Sequence, residues 1–199
     1  MQRRLPRAAA IAAGLLLVVA PPAAFALKVL SAGWVLIVAF FVSPVLALGF
    51  LLQVAIAITG FLAPRGLFLT RGRWRPVLAG IVSSLGILAV GFFLLDFDDT
   101  GAGYSVFSDL AVGHGAITSD GGTPERVLAV EDLSNVLAAF GAVLWIGGWV
   151  WLVVEWAFAL GRRSRARRAP RATGEVRIIE PEHPHLPDAA SGGSDSTQA

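Results

Sequence analysis

The chain has 199 residues, of which 55% are hydrophobic and 15% charged, and its formal net charge at pH 7 is +2. Soluble domains contain about 45–50% apolar residues, and here the excess lies in long uncharged runs, which indicates a membrane protein. The absence of cysteine excludes disulfides, thiolate catalysis and cysteine-ligated metals. The basic residues are fifteen arginines and one lysine, and together with abundant alanine and glycine they suggest a GC-rich, bacterial source.

Four apolar runs are each long enough for a membrane span, which takes roughly 20 residues. They predict helices at about 8–27, 34–62, 77–95 and 133–160. The second run exceeds a bilayer core of roughly 30 Å at about 1.5 Å per residue, so we expect a kink at Pro44. The predicted fold class is all-α, a four-transmembrane-helix bundle in residues 1–161 followed by a basic and then disordered tail at 162–199.

Arginines mark the ends of these runs that are predicted to face the cytoplasm. They precede the first run, lie between the second and third, and follow the fourth: Arg3, Arg4, Arg7, Arg65, Arg71, Arg73, Arg75, Arg162, Arg163, Arg165, Arg167, Arg168 and Arg171. The segment 96–132 carries eight acids and one arginine and is predicted to lie outside. We therefore expect a multi-pass protein of the cell membrane, with both termini cytoplasmic if the first helix is uncleaved.

The first run has two interpretations. Residues 1–26 have the three parts of a secretory signal peptide, and Ala24-Phe25-Ala26 fits an A-x-A cleavage site. The same run is also long enough to remain as a membrane anchor. The charge pattern is identical in both cases, so three spans and four spans both stay open. We favour the anchor because multi-pass bacterial proteins seldom need a cleaved leader.

The outer segment 96–132 is too long for a simple connection. Asp96, Asp98 and Thr100 match the first ligand positions of a calcium loop, but the twelfth position is Phe107 instead of a bidentate glutamate. An acidic turn above the membrane is therefore favoured over a cation site. Further on, GYSVFSD is typical of a strand, and a short helix is predicted at 124–132.

Glu155 is the one ionisable side chain within the fourth run. Such residues are candidates for function because burial of a charge in a membrane is costly. Gln53 and Ser84 lie at comparable depths in the second and third runs, so we predict an intramembrane polar cluster of Gln53, Ser84 and Glu155, with Ser83 as a substitute donor. Proton or cation handling is one interpretation. Interhelical hydrogen bonding, or Glu155 reaching toward Arg162, is the favoured one.

The tail begins with arginines that we expect to contact anionic lipid headgroups: Arg162, Arg163, Arg165, Arg167, Arg168 and Arg171. Topology and lipid binding are sufficient reasons for this cluster, so no nucleic-acid partner is predicted. The bilayer is the expected partner, together with a membrane protein or a second copy of the chain. Trp145 and Trp149 lie deep in the fourth run and are candidates for such a contact.

The sequence contains no Gly-rich phosphate loop, H-E-x-x-H or G-x-S-x-G motif, and we expect no catalytic site and no cofactor. The leading hypothesis is a non-enzymatic accessory or assembly protein that contacts a partner through its acidic outer segment and its fourth helix. The alternative is a small transporter or channel subunit that uses Glu155 within the membrane.

Overall fold

The computed structural model describes residues 7–31, 33–64, 66–69, 74–97, 103–113 and 125–168. These residues are helical except for loops and one two-residue β pairing. The elements are α1 (Arg7–Leu30), α2 (Trp34–Phe41), α3 (Ser43–Ile56), a π-helical turn (Ala57–Leu62), α4 (Trp74–Phe93), β1 (Asp96–Phe97), β2 (Gly103–Tyr104), α5 (Val106–Val112) and α6 (Glu125–Arg168).

Four helical segments are long and apolar enough to cross a membrane, which confirms the predicted helical class at that level. They are Arg7–Leu30, Ser43–Leu62, Trp74–Phe93 and Val127–Ala166. Among the described residues, α4 packs most extensively against α6 and then against α1. It is therefore the central helix of the bundle.

Glycines set the close approach of the helices around α4. A Cβ atom at Gly86 would lie 2.3 Å from the backbone nitrogen of Trp145 on α6, and one at Gly91 would lie 2.8 Å from Cα of Ala24 on α1. Backbones this close leave no room for a side chain, which is the packing mode that small residues allow between membrane helices. The close packing of α1, α4 and α6 is therefore a direct consequence of the glycine positions on α4.

The second apolar run forms three consecutive pieces instead of one kinked helix. α2 ends at Phe41, and α3 begins at Ser43 with Pro44 in its first turn. Between them Val42 has φ −89° and ψ 0°, which lies in the bridge region away from the helical minimum. The break therefore coincides with the kink predicted at Pro44, where the missing N–H interrupts helical bonding.

The π-helical turn folds the following segment back onto the bundle. Its wider winding leaves the carbonyls of Thr59 and Gly60 to accept the N–H groups of Leu67 and Phe68, each at 3.1 Å. The Phe68 ring packs against Phe61 with 4.9 Å between centroids. Together with residues from α1, α3, α4 and α6, these rings build the main buried cluster: Ala10, Ala13, Leu17, Ile56, Ala57, Phe61, Phe68, Val77, Ala79 and Leu152.

The segment predicted as a strand is mostly helical. Only Gly103 and Tyr104 pair, antiparallel to Phe97 and Asp96, and α5 follows at once. Ser105 starts α5 through a capping box, in which its side chain accepts from the backbone N–H of Ser108 at 3.0 Å and the Ser108 hydroxyl accepts from the Ser105 N–H at 2.8 Å. Reciprocal capping outweighs the weak strand propensity of this sequence.

α6 is a single helix of 44 residues, about 66 Å long at 1.5 Å per residue. It includes residues 125–132, which were expected to form a separate short helix, and it continues beyond residue 160 through the first arginines of the tail. A helix of this length exceeds a bilayer core of roughly 30 Å.

Candidate functional site: a charged cap and the polar groups of the bundle

Two charged side chains of the described residues are buried, and both lie where α1 and α4 end. Asp96 is 1% exposed and Lys28 is 6% exposed. The Lys28 ammonium donates to the backbone carbonyl of Leu94 and, at 3.3 Å, to the hydroxyl of Ser31. Asp96 Oδ1 accepts the backbone N–H of Val35 at 2.8 Å. These five residues, Lys28, Ser31, Val35, Leu94 and Asp96, form what we call the charged cap.

Each charge of the cap lies at the helix end that favours its sign. Leu94 directly follows the carboxyl end of α4, where exposed carbonyls carry partial negative charge, and Lys28 binds there. Val35 is the second residue of α2, where N–H groups carry partial positive charge, and Asp96 binds there. Gly33 precedes α2 and offers no side-chain cap, so Asp96 supplies that cap from a distant part of the chain.

Lys28 and Asp96 also attract each other electrostatically. The second carboxylate oxygen, Asp96 Oδ2, is buried and makes no hydrogen bond among the described residues. Buried carboxylate oxygens are normally bonded, so the nearby ammonium is the group that compensates its charge. The cap consequently joins α1, α2 and the end of α4 through opposite charges as well as through hydrogen bonds.

The alternative cation site predicted at Asp96, Asp98 and Thr100 lies only partly within the described residues. Asp98 and Thr100 lie outside them. Asp96 accepts a hydrogen bond from the α2 N-terminus and is attracted electrostatically to Lys28. No group of three metal-ligating side chains occurs within the described ranges.

A serine bridge lies beside the charged cap. Ser134 on α6 donates to the carbonyl of Phe93, the last residue of α4, at 2.6 Å, and its oxygen lies 2.9 Å from that of Ser105. At this point α4 ends and α5 begins, and the ends of helices carry backbone groups that lack helical partners. The serines satisfy one of those groups and tie α5 to the bundle.

Gln53, the first member of the predicted intramembrane cluster, bonds to α1. Its amide nitrogen donates to the carbonyl of Leu17 at 2.8 Å. Pro21 stands four residues after Leu17 and has no N–H, so the Leu17 carbonyl lacks its usual helical donor. The side chain from α3 replaces that donor, as expected for proline inside a membrane helix.

Ser83 and Ser84 on α4 also donate to backbone carbonyls. Ser84 bonds to Gly80 of its own helix at 2.8 Å. Ser83 reaches across to Trp145 of α6 at 3.2 Å, so it, and not Ser84, makes the α4–α6 bond. The substitute donor named from the sequence is thus the serine that links two helices.

Glu155 is half-buried and follows Gly141 and Gly148 at seven-residue intervals on α6. Gly148 lies against Ser83, where a Cβ atom would come within 2.8 Å of its backbone nitrogen. Seven residues place Glu155 about 10 Å further along the helix axis. Gln53 and Ser84 have separate carbonyl partners, and a cluster that unites them with Glu155 stays a prediction.

The tryptophans of α6 differ in their surroundings. Trp156 donates its indole N–H to the hydroxyl of Thr59 in the π-helical turn, at 2.9 Å, and so binds α6 to the second span. Trp145 and Trp149 are half-buried, whereas Trp151 is exposed. The partner contact expected from Trp145 and Trp149 stays a prediction.

The arginine cluster begins on the last turns of α6. Arg162, Arg163 and Arg165 are exposed there, and Arg162 Nε donates to the carbonyl of Phe158 at 3.3 Å. α6 ends at Arg168, and Arg171 lies outside the described residues. An exposed row of arginines on a helix that leaves the apolar span is compatible with the predicted headgroup contacts.

The sequence interpretation missed the charged cap, although a signal was present. Lys28 is the only charged residue between positions 8 and 63, and Asp96 is the first after the third apolar run. Both stand at predicted span ends that a bundle brings to the same level. Comparison with known proteins gave no matching family model, no matching curated protein and no matching solved structure.

Proposed function

We propose that the chain is a non-enzymatic integral membrane protein that acts as an accessory or assembly factor for a membrane complex. The observation that carries this proposal is the hydrogen bonding of the polar side chains inside the bundle. Gln53, Ser83 and Ser84 each donate to a carbonyl of the chain itself, and the bonds of Gln53 and Ser83 join two helices. A transport path needs polar groups that are available to a substrate, which favours the accessory role.

The proposed orientation follows from charge. The arginine-rich ends face the cytoplasm of a cell membrane, and the charged cap with the acidic segment 96–132 faces outside. Arg162, Arg163, Arg165, Arg167, Arg168 and Arg171 contact anionic lipid headgroups in this arrangement. In this proposal the first helix is retained, because α1 supplies Ala10, Ala13 and Leu17 to the core and the Leu17 carbonyl to Gln53.

The proposed partner surface is the side of α6 that faces away from α4, together with the acidic outer segment. Phe140 and Val143 lie on this side and are 60% and 69% exposed. Gly147 lies on the same side with open space around it. Such a surface gives a neighbouring membrane helix both large side chains and a shallow recess for packing.

Photo-crosslinking in native membranes tests this assignment. A photoreactive residue at Phe140 or Val143 is expected to give a protein adduct of one defined mass, either a partner or a second copy. Leu85 on α4 is the matched control, because it is 55% exposed but lies on another helix. Lipid adducts alone at all three positions would refute a protein partner on α6.

The transporter alternative rests on Glu155, which is half-buried on the helix seam of Gly141 and Gly148. It predicts that Glu155→Gln abolishes a proton- or cation-linked flux in proteoliposomes. Asp132→Asn on the same helix is the control, since Asp132 is exposed. A flux lost only in the Glu155 variant would replace the accessory role with transport.

A further inference from the structure

The helical stretch from residue 34 to residue 52, which we call the strap, is tied to the bundle by a polar contact at each end. At its start Val35 donates to Asp96, and directly after its end Gln53 donates to Leu17. Between these ties every residue from 41 to 48 is exposed. A helix within a bundle buries one face, so the middle of the strap stands away from the other helices.

The strap also contains a break at which it can bend. Val42 lies in the bridge region between α2 and α3, and Pro44 follows it. Hinges are typically a few residues at element ends that absorb a change in φ and ψ while the helices on either side stay rigid. α2 has only eight residues, so it can rotate as a short rigid helix about Val42.

We propose that the charged cap is a latch that holds α2 in its docked position, and that α2 swings about Val42 when the Asp96–Val35 contact is weakened or lost. The Asp96–Val35 bond is charge-assisted and lies at the positive end of α2, which makes it stronger than a bond to a neutral acceptor. Release of α2 changes the apolar surface that the protein presents at this end of the bundle.

Lys28 belongs to the same latch. With Lys28 in place, the charge of the buried Asp96 carboxylate is compensated at the α2 N-terminus. Without the ammonium, the buried carboxylate has no opposite charge beside it, which destabilises the docked arrangement around it. Lys28→Met and Asp96→Asn should therefore act in the same direction, although the two substitutions change the net charge oppositely.

Spin-label distance measurements on the full chain in lipid nanodiscs test the latch, and the absence of native cysteines makes pair labelling direct. The strap pair is Val38→Cys on α2 with Val143→Cys, and the control pair is Val19→Cys with Val143→Cys. All three valines are exposed, so labels there disturb no core packing. Asp96→Asn keeps an oxygen that can accept from Val35 while it removes the charge, and Asp96→Leu removes both.

For the strap pair, we expect Asp96→Asn to raise the ratio of displaced to docked distances about tenfold, which corresponds to the free energy of one charge-assisted hydrogen bond. Asp96→Leu should raise this ratio at least as much. The control pair should keep its distance. Unchanged strap distances in both variants would overturn the latch, as would equal shifts in both pairs, which indicate general loosening. If the single variants do not fold, Lys28→Met combined with Asp96→Asn keeps the charges balanced and should show the same selective shift.

Discussion

Pro21 and Gln53 are far apart in the sequence but determine together how the Leu17 carbonyl is hydrogen-bonded. Proline removes the donor that the Leu17 carbonyl would otherwise use, and the glutamine of α3 replaces it. A proline in a membrane helix is tolerated when a neighbouring helix satisfies the carbonyl that it leaves unpaired. The buried glutamine, which sequence inspection marks as a possible functional group, is thereby explained by backbone chemistry.

This relation predicts that Gln53→Met lowers the free energy of unfolding by about 0.6–1.7 kcal/mol, the range of interhelical hydrogen bonds in membranes. In a Pro21→Ala background the loss should largely vanish, because the new N–H can bond to Leu17. Reversible unfolding in mixed detergent micelles, followed by tryptophan fluorescence, measures both values. An equal loss in the two backgrounds would show that proline and glutamine are not coupled.

Helix packing depends on which face of α6 a glycine occupies. Gly148 lies against α4, where a Cβ atom would come within 2.8 Å of the Ser83 backbone nitrogen. A Cβ atom at Gly147 would meet no atom of a neighbouring helix within 4 Å. The backbone of α4 cannot move aside as a flexible side chain could. The two adjacent glycines therefore give a matched pair for the α4–α6 contact.

We expect Gly148→Ala to destabilise the protein by about 1–3 kcal/mol, the usual cost of overpacking. Gly147→Ala should leave stability unchanged or slightly raised, because alanine favours helix over glycine. The same unfolding assay in detergent distinguishes them. Similar effects of the two substitutions would mean that α6 does not present the Gly148 face to α4.

The short helix α5 shows how an element can depend on its surroundings. Seven residues are too few for a stable isolated helix. The Ser105 capping box starts it, and Phe107 packs against Phe93 with 5.1 Å between ring centroids. The strand propensity of GYSVFSD is outweighed by these two contacts, and the second of them is supplied by α4 of the bundle.

Across the whole molecule, polar contacts and apolar exposure are separated. The buried polar side chains hold helices to one another, while large apolar side chains cover the outside of α1, the strap and α6. This is the reverse of a soluble protein and the arrangement that a lipid solvent demands. The charged groups gather at the two ends, arginines at one and the charged cap at the other.

The proposed orientation predicts selective labelling of single cysteines in intact cells. Leu110→Cys on α5 should react with a membrane-impermeant maleimide from outside, because Leu110 is 75% exposed at the charged-cap end. Ser164→Cys, exposed among the tail arginines, should react only after lysis. The reverse pattern would invert the topology, and an intact mass lacking residues 1–26 would show that the first run is cleaved.

Hydropathy and proline act locally along the chain, so the four apolar helical segments, their approximate limits and the break near Pro44 can be predicted without the fold. The same holds for Gln53, Ser83 and Ser84 as polar groups within those helices. Their partners depend on how the helices pack. Gln53 binds a carbonyl that Pro21 leaves open, Ser83 binds α6, and Lys28 and Asp96 meet because the parallel helices α1 and α4 bring their carboxyl ends to one level. Such pairings depend on helix register and rotation, which no local pattern specifies.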